Sequence, residues 1–293
     1  MIDPPVDIRR LVYLGTPVES VPFLEALDGA GFDMALAVTR PDKRRGRRAD
    51  PTPSPVKAAA LDLGVPVCSE VDDVLDVEAD LGVVVAFGQI IKPHVLDRLA
   101  MVNVHFSLLP RWRGAAPVER AILAGDQTTG VCLMEVAEGL DTGRVYRRVE
   151  VPIAPEATAT TLRADLVDAA VPMLVSALRD GLGTPDLQQG EPVYAAKISR
   201  DELRLDWSSS AEFLNRQVRV GGAWTTWRGK TLKIWSALPV TGSQPPGELD
   251  GPVVGTGNGQ LQLVEVQAEG KSRQPAEDWL RGARPTPGDR LGS

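Results

Sequence analysis

An asparagine and a histidine stand one residue apart near the middle of the chain, at Asn103 and His105. They end the apolar run that begins at Met101, and a strand places residues i and i+2 on the same face. An amide and an imidazole that point the same way can donate hydrogen bonds to a developing oxyanion and move a proton. Taken alone, the pattern is at least as typical of a core strand that ends in a polar loop.

The carboxylate that we expect beside His105 is Asp141. It lies in the loop Glu138–Gly143, directly after a predicted strand, Val131–Val136. A carboxylate next to a histidine favours the protonated ring and fixes its orientation. The alternative interpretation is a simple turn residue, because Asp is common in turns.

Short apolar strands alternate with helices over the first half of the chain. This predicts a Rossmann-like, mostly parallel sheet covered on both faces. Ligands bind beyond the carboxyl ends of the strands of such a sheet. We expect five loops at that edge: Gly15–Pro17, the basic arm Arg40–Arg48, Phe87–Gln89, the residues that end with His105, and Glu138–Gly143.

The predicted elements of this domain follow from apolar periodicity and from capping and turn residues. The strands are Leu11–Leu14, Met34–Thr39, Val65–Cys68, Leu81–Ala86, Met101–His105, Val131–Val136 and Gly143–Pro152. The first helix is expected to begin near Pro22, with Ser20 as its N-cap. The other helices are Val56–Leu63, Pro93–Leu99, Val118–Ala124 and Thr160–Leu182. Three prolines, Pro51, Pro53 and Pro55, are expected to exclude regular structure before Val56.

The pattern changes after the turn-rich segment Gly183–Pro192, which predicts a linker. Beyond it, a helix is expected at Ser209–Val220, followed by short strands at Trp224–Trp227, Lys230–Trp235, Val253–Thr256 and Leu261–Gln267. Short strands with Gly-rich turns predict a small closed β-barrel of the oligonucleotide-binding type. We therefore expect a catalytic domain over 1–188, a transition over 189–208 and a barrel over 209–293. A barrel that only supports the first domain is the alternative.

Composition excludes several classes of protein. The net charge of −7 disfavours a protein that coats nucleic acid with its whole surface. The arm Arg40–Arg48, however, is locally basic and suits RNA phosphates. There is no apolar run of about 18 residues and no signal-peptide pattern, so we expect a cytoplasmic protein without a membrane segment. We expect the cysteines, Cys68 and Cys132, to be reduced, and the Cys and His spacing predicts no metal site.

Nucleotide fingerprints are missing as well. The first strand ends in Gly15-Thr16-Pro17, without a G-x-G-x-x-G motif, which disfavours NAD or FAD chemistry. The chain also lacks the G-x-x-x-x-G-K-[ST] loop of nucleotide triphosphatases.

Over nearly its whole length, the sequence resembles the methionyl-tRNA formyltransferases. The matching segments are LGTP (14–17), TRPD (39–42), TPSPVKAAAL (52–61), VVVAFGQI (83–90), NVH (103–105), SLLPRWRGAAP (107–117), AILAGD (121–126), MEVAEGLDTG (134–143), YAAKIS (194–199), LRLDW (203–207) and GDRLG (288–292). SLLPRWRGAAP followed by GLDTG is highly specific. The resemblance implies a folate-binding α/β domain and a C-terminal barrel of the oligonucleotide-binding type.

The resemblance also implies an activity and a set of residues. A formyl group would move from 10-formyltetrahydrofolate, the co-substrate, to the amine of methionyl-initiator tRNA in translation initiation, through a tetrahedral intermediate and without a metal. The implied catalytic residues are Asn103, His105 and Asp141. The implied folate-binding residues are Phe87, Gly88, Gln89, Ser107, Leu108, Leu109, Pro110, Glu138, Gly139, Leu140 and Thr142. The implied tRNA-binding residues are Arg40, Lys43, Arg44, Arg45, Arg47 and Arg48, and the acceptor pocket comprises Gly15, Thr16, Pro17 and Glu19. We expect a monomer.

Three positions depart from the family pattern. Lys43 stands where Arg is usual and loses bidentate geometry, although it keeps the charge. Glu19 replaces an apolar residue and should weaken an apolar pocket unless it turns outward. Phe106 replaces a small residue; it either points to the opposite sheet face or fills space near the pocket.

Two alternative functions stay open at this point. The same Asn-His-Asp set would serve a formyltransferase for an amino sugar nucleotide or a purine-precursor amine. A tRNA-binding protein without catalytic activity is the alternative from another class. The basic arm and the barrel favour tRNA over small acceptors, and the intact catalytic set favours an enzyme.

Overall fold

The computed structural model describes residues 2–44 and 50–292, so Arg45, Arg47 and Arg48 of the basic arm lie outside the described residues. The chain divides into two compact units. The first comprises Met1–Pro117, Thr128–Pro152 and Arg163–Ala196, and the second comprises Val118–Gln127, Ile153–Leu162 and Lys197–Ser293. The domain boundaries at residues 188 and 208 stay a prediction.

The secondary structure follows in chain order. The strands are β1 (Arg10–Gly15), β2 (Asp33–Val38), β3 (Lys43–Arg44), β4 (Pro51–Thr52), β5 (Val67–Cys68), β6 (Leu81–Val85), β7 (Met101–His105), β8 (Arg113–Gly114), β9 (Thr128–Glu135), β10 (Val145–Pro152), β11 (Tyr194–Ala195), β12 (Trp224–Trp227), β13 (Lys230–Val240), β14 (Leu249–Asp250), β15 (Val253–Gly255), β16 (Gln260–Ala268) and β17 (Gln274–Pro275). The helices are α1 (Val21–Gly29), α2 (Pro55–Asp62), α3 (Pro93–Leu96), α4 (Pro117–Ala124), α5 (Ala159–Arg179), α6 (Ala211–Val220) and α7 (Ala276–Ala283). Short 3₁₀ helices lie at Val18–Ser20, Val71–Asp76 and Asp201–Leu203.

A seven-stranded sheet forms the centre of the first unit, in the order β10-β9-β7-β6-β1-β2-β5. The strands from β7 through β5 in this order are mutually parallel. Every residue of β6 is buried, as its continuous apolar run predicted. The predicted mostly parallel sheet is therefore confirmed, and it places the end of β7 near the middle of the sheet.

The direction of β9 corrects one step of the sequence argument. This strand runs antiparallel to β7, with Glu135 opposite Val102 and Cys132 opposite His105. The loop after β9 therefore starts at the edge where β7 begins, not at the edge where β7 ends. The premise that β9 runs parallel to β7 was wrong, because hydrophobic periodicity identifies a strand but not its direction. The loop nevertheless reaches the end of β7, since Asp141 Oδ2 lies 3.6 Å from His105 Nδ1.

The basic arm also contains regular structure that the sequence interpretation excluded. Strands β3 and β4 pair antiparallel, with Arg44 opposite Pro51. A proline can occupy such a position because the end of a short edge strand does not need its N–H. Ser54 caps α2 by accepting from Lys57 N at 3.0 Å. The prolines therefore do not exclude regular structure here: Pro51 lies in the strand pair and Pro55 begins α2.

The second unit is built around an antiparallel sheet in the order β12-β13-β16-β15-β14, with β17 paired to β16. The C-terminal segment links its two outer strands: Gly292 N donates to Thr226 O at 2.9 Å, and Leu291 N donates to Gly247 O at 2.8 Å. Leu249 N of β14 also donates to Asp289 O at 3.0 Å, so the residues of the GDRLG motif bond to both outer strands. Strand β13 extends to Val240, further than predicted.

In the described residues, no helix is long and apolar enough to cross a membrane. Both cysteines are free thiols, as expected; Cys132 is buried and Cys68 half-buried.

Candidate active site

His105 ends β7 with only 6% of its surface exposed. Its Nε2 lies 2.9 Å from the carbonyl oxygen of Trp112. Its Nδ1 lies 3.6 Å from Oδ2 of Asp141. Both ring nitrogens therefore face oxygen atoms, which fix the orientation of the ring.

Asp141 is held by its loop and by a backbone donor. Its Oδ2 accepts a hydrogen bond from Gly114 N at 2.7 Å, and its side chain is 13% exposed. Its φ of +51° lies in the left-handed region, which costs a non-glycine residue about 1–2 kcal/mol. Asp141 is therefore a turn residue and also the neighbour of His105, so the two interpretations are not exclusive.

Asn103 lies two residues before His105 and opposite Met134 of β9. It is half-buried, and its amide forms no hydrogen bond with any described residue. The amide donors are therefore free for a ligand, on the strand face that also carries His105.

The turn after β7 supplies both backbone contacts of the pair. Trp112 and Gly114 have φ values of +64° and +121°. A Cβ on Gly114 would lie 2.9 Å from the carbonyl oxygen of Ala195, so only glycine fits there. Ser107 closes the turn by donating from Oγ to Arg111 O at 2.6 Å.

The neck of the Asp141 loop is closed by an ion pair. Arg144 donates from Nη2 and Nε to the two carboxylate oxygens of Glu135, at 2.6 Å and 2.8 Å. These hydrogen bonds raise the pKa of the Arg144 guanidinium. A Cβ on Gly143 would come within 2.0 Å of Glu135 O, so the chain passes too closely for any other residue.

The two predicted folate-binding loops differ in that one has a buried member. Phe87 is buried in the core, Gln89 is exposed, and Gly88, at φ +70°, accepts from Arg40 Nη2 at 2.8 Å. In the other loop, Glu138, Gly139, Leu140 and Thr142 are exposed, and Thr142 Oγ1 donates to Gly139 O at 3.0 Å.

The predicted folate residues Ser107–Pro110 alternate between the interior and partial exposure. Ser107 and Leu109 are buried, whereas Leu108 and Pro110 are half-buried. Leu109 N donates to Cys132 Sγ at 3.4 Å. Contacts with a ligand would therefore involve the side chains of Leu108 and Pro110, or the backbone.

The predicted acceptor pocket is fixed to the sheet. Ser20 Oγ donates to Val85 O at 2.6 Å, and Tyr13 OH donates to Ser20 O at 2.6 Å. The sequence suggested that the Ser20 side chain caps α1, but this hydroxyl is used for the bond to Val85 and makes no capping hydrogen bond. Thr16 Oγ1 is buried without a partner among the described residues. Gly15 is buried, whereas Pro17 and Glu19 are half-buried.

The described part of the basic arm has two kinds of cation. Arg40 donates to the Gly88 carbonyl of the folate-binding loop, a contact that the sequence did not predict. Lys43 and Arg44 are exposed in β3.

Two residues near His105 that could complicate the site have simple roles. The Phe106 ring lies 6.4 Å from the buried ring of Phe23 on α1, which accounts for a large side chain there. Cys132 is opposite His105, but burial raises the pKa of its thiol, so it is a poor nucleophile. Within the described part of the chain, no group of three or more His, Cys, Asp or Glu could hold a metal.

Sequence reasoning missed Trp112, Gly114 and Gln188 as parts of the site. Gln188 Nε2 donates to the carbonyls of Asp141 and Gly143, both at 2.8 Å. The first two belong to the specific segment SLLPRWRGAAP, which was a usable signal. Gln188 lies in the segment predicted as a linker, and no local pattern indicates its role.

Comparison with known proteins bears on the family and the fold. The profile of the family described as "Formyl transferase" matches residues 9–178, and that of "Formyl transferase, C-terminal domain" matches residues 197–284. The structure of HypX from Aquifex aeolicus in complex with tetrahydrofolic acid has a TM-score of 0.67 and 18% identity over 94% of this chain. This chain spans 47% of the HypX chain, and the likeness shows the fold.

Two curated relatives are much closer in sequence. The methionyl-tRNA formyltransferase of Jannaschia sp. is 42% identical over 95% of this chain and 98% of its own length. The methionyl-tRNA formyltransferase of Thiobacillus denitrificans is 42% identical over 97% of this chain and 100% of its own length. The family expected from the sequence motifs is therefore confirmed: this chain belongs to the methionyl-tRNA formyltransferases.

Proposed function

We propose that this protein transfers a formyl group from 10-formyltetrahydrofolate to the amino group of methionyl-initiator tRNA. One observation supports this above the others. His105 lies between the Asp141 carboxylate and the Trp112 carbonyl, while the half-buried amide of Asn103 stays uncommitted on the same strand face. This arrangement provides an amide donor and an imidazole beside a carboxylate in one place.

The chemistry assigns each group a role. The amine nitrogen of the methionyl group bonds to the formyl carbon, and the bond from that carbon to N10 breaks. One proton leaves the amine, and N10 gains one. Between these events the formyl oxygen carries negative charge, which needs donors aimed at it.

We assign those donors to Asn103 and His105. The amide of Asn103 donates directly. The Nε2 proton of His105 is held by Trp112, whereas the 3.6 Å from Nδ1 to Asp141 exceeds a normal hydrogen bond. Nδ1 is therefore the ring nitrogen available to the reacting group, and we assign Asp141 to orient the ring and to assist the proton transfer.

The folate would lie between the loops Phe87–Gln89 and Glu138–Thr142, with contacts from Ser107–Pro110. The exposed residues of both loops are accessible to a ligand. We propose no metal for this step, because the donors that the oxyanion needs come from the chain.

The tRNA would bind through the basic arm, with Arg40, Lys43 and Arg44 in its described part and Arg45, Arg47 and Arg48 beyond it. The arm concentrates positive charge on a chain whose net charge is −7, which directs an anionic partner to one region. We further propose that the protein acts as a monomer, with the methionyl group near Gly15–Pro17 and Glu19.

A competition assay tests the substrate. Purified protein and 10-formyltetrahydrofolate would be offered methionyl-tRNA, other aminoacyl-tRNAs and an amino sugar nucleotide. We expect the highest kcat/KM for methionyl-tRNA. Preferential formylation of the sugar nucleotide, or no formylation of any acceptor, would contradict the proposal.

Substitution tests the assigned residues. We expect His105→Ala and Asn103→Ala each to lower kcat by about 10²- to 10⁴-fold, because each removes a donor or a proton-transfer group. His94→Ala is the matched control: the only other histidine of the chain is half-exposed and pairs with Asp72 at 3.1 Å. Near-normal turnover of either site variant would exclude its assigned role.

A further inference from the structure

The segment predicted as a linker is part of the active-site framework. Val145 and Asp186 exchange two backbone hydrogen bonds, at 2.8 Å and 2.9 Å. Further along, Arg113 N donates to Val193 O, and Ala115 N to Ala195 O, each at 2.9 Å. Residues 186–195 therefore run beside the Asp141 loop and then beside the turn after β7.

Gln188 lies between these two sets of backbone contacts, and its side chain joins them. Its Nε2 donates to the carbonyls of Asp141 and Gly143, both at 2.8 Å. Its Oε1 accepts from Arg113 Nε and Nη2, at 3.0 Å and 2.6 Å. One amide thus uses both donor hydrogens on one loop and its acceptor oxygen on the other.

These two loops are the ones that hold the catalytic pair. Arg113 lies between Trp112, whose carbonyl accepts from His105, and Gly114, whose N–H donates to Asp141. A shift of either loop would change the distance between Asp141 and His105. Gln188 is therefore placed to set that distance without touching either reacting group.

The backbone shows why such support is needed. Asp141 and Trp112 both have left-handed φ values, +51° and +64°. Such conformations persist only where surrounding contacts hold them. Gln188 bonds directly to the Asp141 carbonyl, so it stabilises one of these two residues in the unfavourable conformation.

We propose that Gln188 is a positioning residue of the formyl-transfer site, acting through Asp141. This inference rests on the proposed function. The role is specific to the side chain: Glu lacks the two donors, Met lacks donors and acceptor, and Asn is one methylene shorter. Gln189, the next residue, is exposed and provides a matched control.

Steady-state kinetics give the first measurement. We expect Gln188→Met and Gln188→Glu to lower kcat by about 10- to 100-fold, because small displacements of reacting groups are costly. The KM for methionyl-tRNA should change by less than about threefold. KM rises when a contact made equally in the ground state and the transition state is lost, and the proposed role of Gln188 includes no contact with the substrate. Gln189→Ala should match the wild type. Wild-type kcat in both Gln188 variants would overturn the inference.

A double-mutant cycle tests whether Gln188 acts through Asp141. In an Asp141→Asn background, Gln188→Met should cost little further kcat, because the charged group that it positions is already gone. Fully additive losses would show an independent structural role and overturn the inference. Thermal unfolding shows whether Gln188→Met folds normally. If it does not, Gln188→Glu, which keeps the acceptor for Arg113, replaces it in the cycle.

NMR supplies a measurement that does not depend on turnover. The chain has only two histidines, so ring-labelled protein gives one signal set from His105 and an internal reference from His94. We expect Gln188→Met to shift the His105 ring resonances and to leave those of His94 unchanged. Unchanged His105 resonances contradict this inference alone, whereas an active His105→Ala variant contradicts the proposed function.

Discussion

The Asp141 loop and the basic arm belong to the same unit, yet they are built in opposite ways. The Asp141 loop is closed at its neck by Glu135 and Arg144, and it is bonded at its tip to Gly114 and Gln188. The arm is fastened at its root, where Thr39 and Ser54 hydroxyls lie 2.7 Å apart and Lys57 pairs with Asp42 at 2.8 Å. Beyond that root, the side chains of its described residues are exposed.

This difference follows from what each region has to recognise. A reacting carbonyl must meet donors at hydrogen-bond distance, so the loop needs every backbone group fixed. A phosphate backbone is attracted by charge over several ångströms and needs no single geometry. The loop should therefore fail after small structural changes, whereas the arm should respond mainly to loss of charge.

The charge of Asp141 provides the largest expected effect. Asp141→Asn keeps the size of the side chain, and Asn tolerates the left-handed backbone. Loss of the carboxylate beside His105 should lower kcat by about 10²- to 10⁴-fold, the range for an acid–base group. Single-turnover assays would measure this at saturating folate and tRNA.

The matched control for this substitution is Asp72→Asn. Asp72 stands beside the other histidine, His94, in an exposed ion pair. Its loss should leave kcat and thermal stability nearly unchanged, because exposed pairs contribute about 0–1 kcal/mol. If Asp141→Asn behaves like Asp72→Asn, the carboxylate has no part in the reaction.

Gly114 provides the next effect in size, because it tests the geometry rather than the charge. Gly114→Ala should lower both the free energy of unfolding and kcat, since the new Cβ would lie 2.9 Å from Ala195 O at a φ of +121°. The backbone conformation alone costs about 1–2 kcal/mol. Chemical denaturation and kinetics would measure the two losses.

Gly31→Ala separates the cost of a positive φ from the cost of a steric clash with the backbone. Gly31 also has a positive φ, +88°, but a Cβ there meets nothing within 4 Å. It should show the conformational cost without the loss of kcat. Equal kcat losses in both variants would mean that the turn after β7 is not specifically tied to the site.

Much of this framework could be predicted from sequence alone. The alternation of strands and helices is a local pattern, and it gave the parallel strands and the shared face of Asn103 and His105. The direction of β9 could not be predicted in this way, because periodicity is the same for a strand that runs up or down the sheet. The contact of Asp141 with His105 was predicted correctly from an incorrect edge argument.

The supporting contacts lie beyond local pattern altogether. Gln188 meets Asp141 across 47 residues, and Ser20 meets Val85 across 65. Each is a single polar residue in a segment whose periodicity indicates only a linker or a helix start. Such hydrogen bonds depend on where the chain returns in space, and only the structure brings these partners together.

The arm provides the smallest and most distributed effect. Neutralising Arg44, Arg45 and Arg47 together should weaken tRNA binding and lower the slope of log K against log salt by up to about 3, since fewer counterions are released. The kcat at saturating tRNA should stay near the wild-type value, because the Asp141 loop is untouched. Binding titrations over a range of salt concentrations would measure the slope. Lys92→Ala with Arg98→Ala removes two cations at exposed positions outside the arm and measures the change in slope per cation lost elsewhere on the surface. An unchanged slope in the triple variant, or an equal change per cation in the control, would mean that the arm is ordinary charged surface.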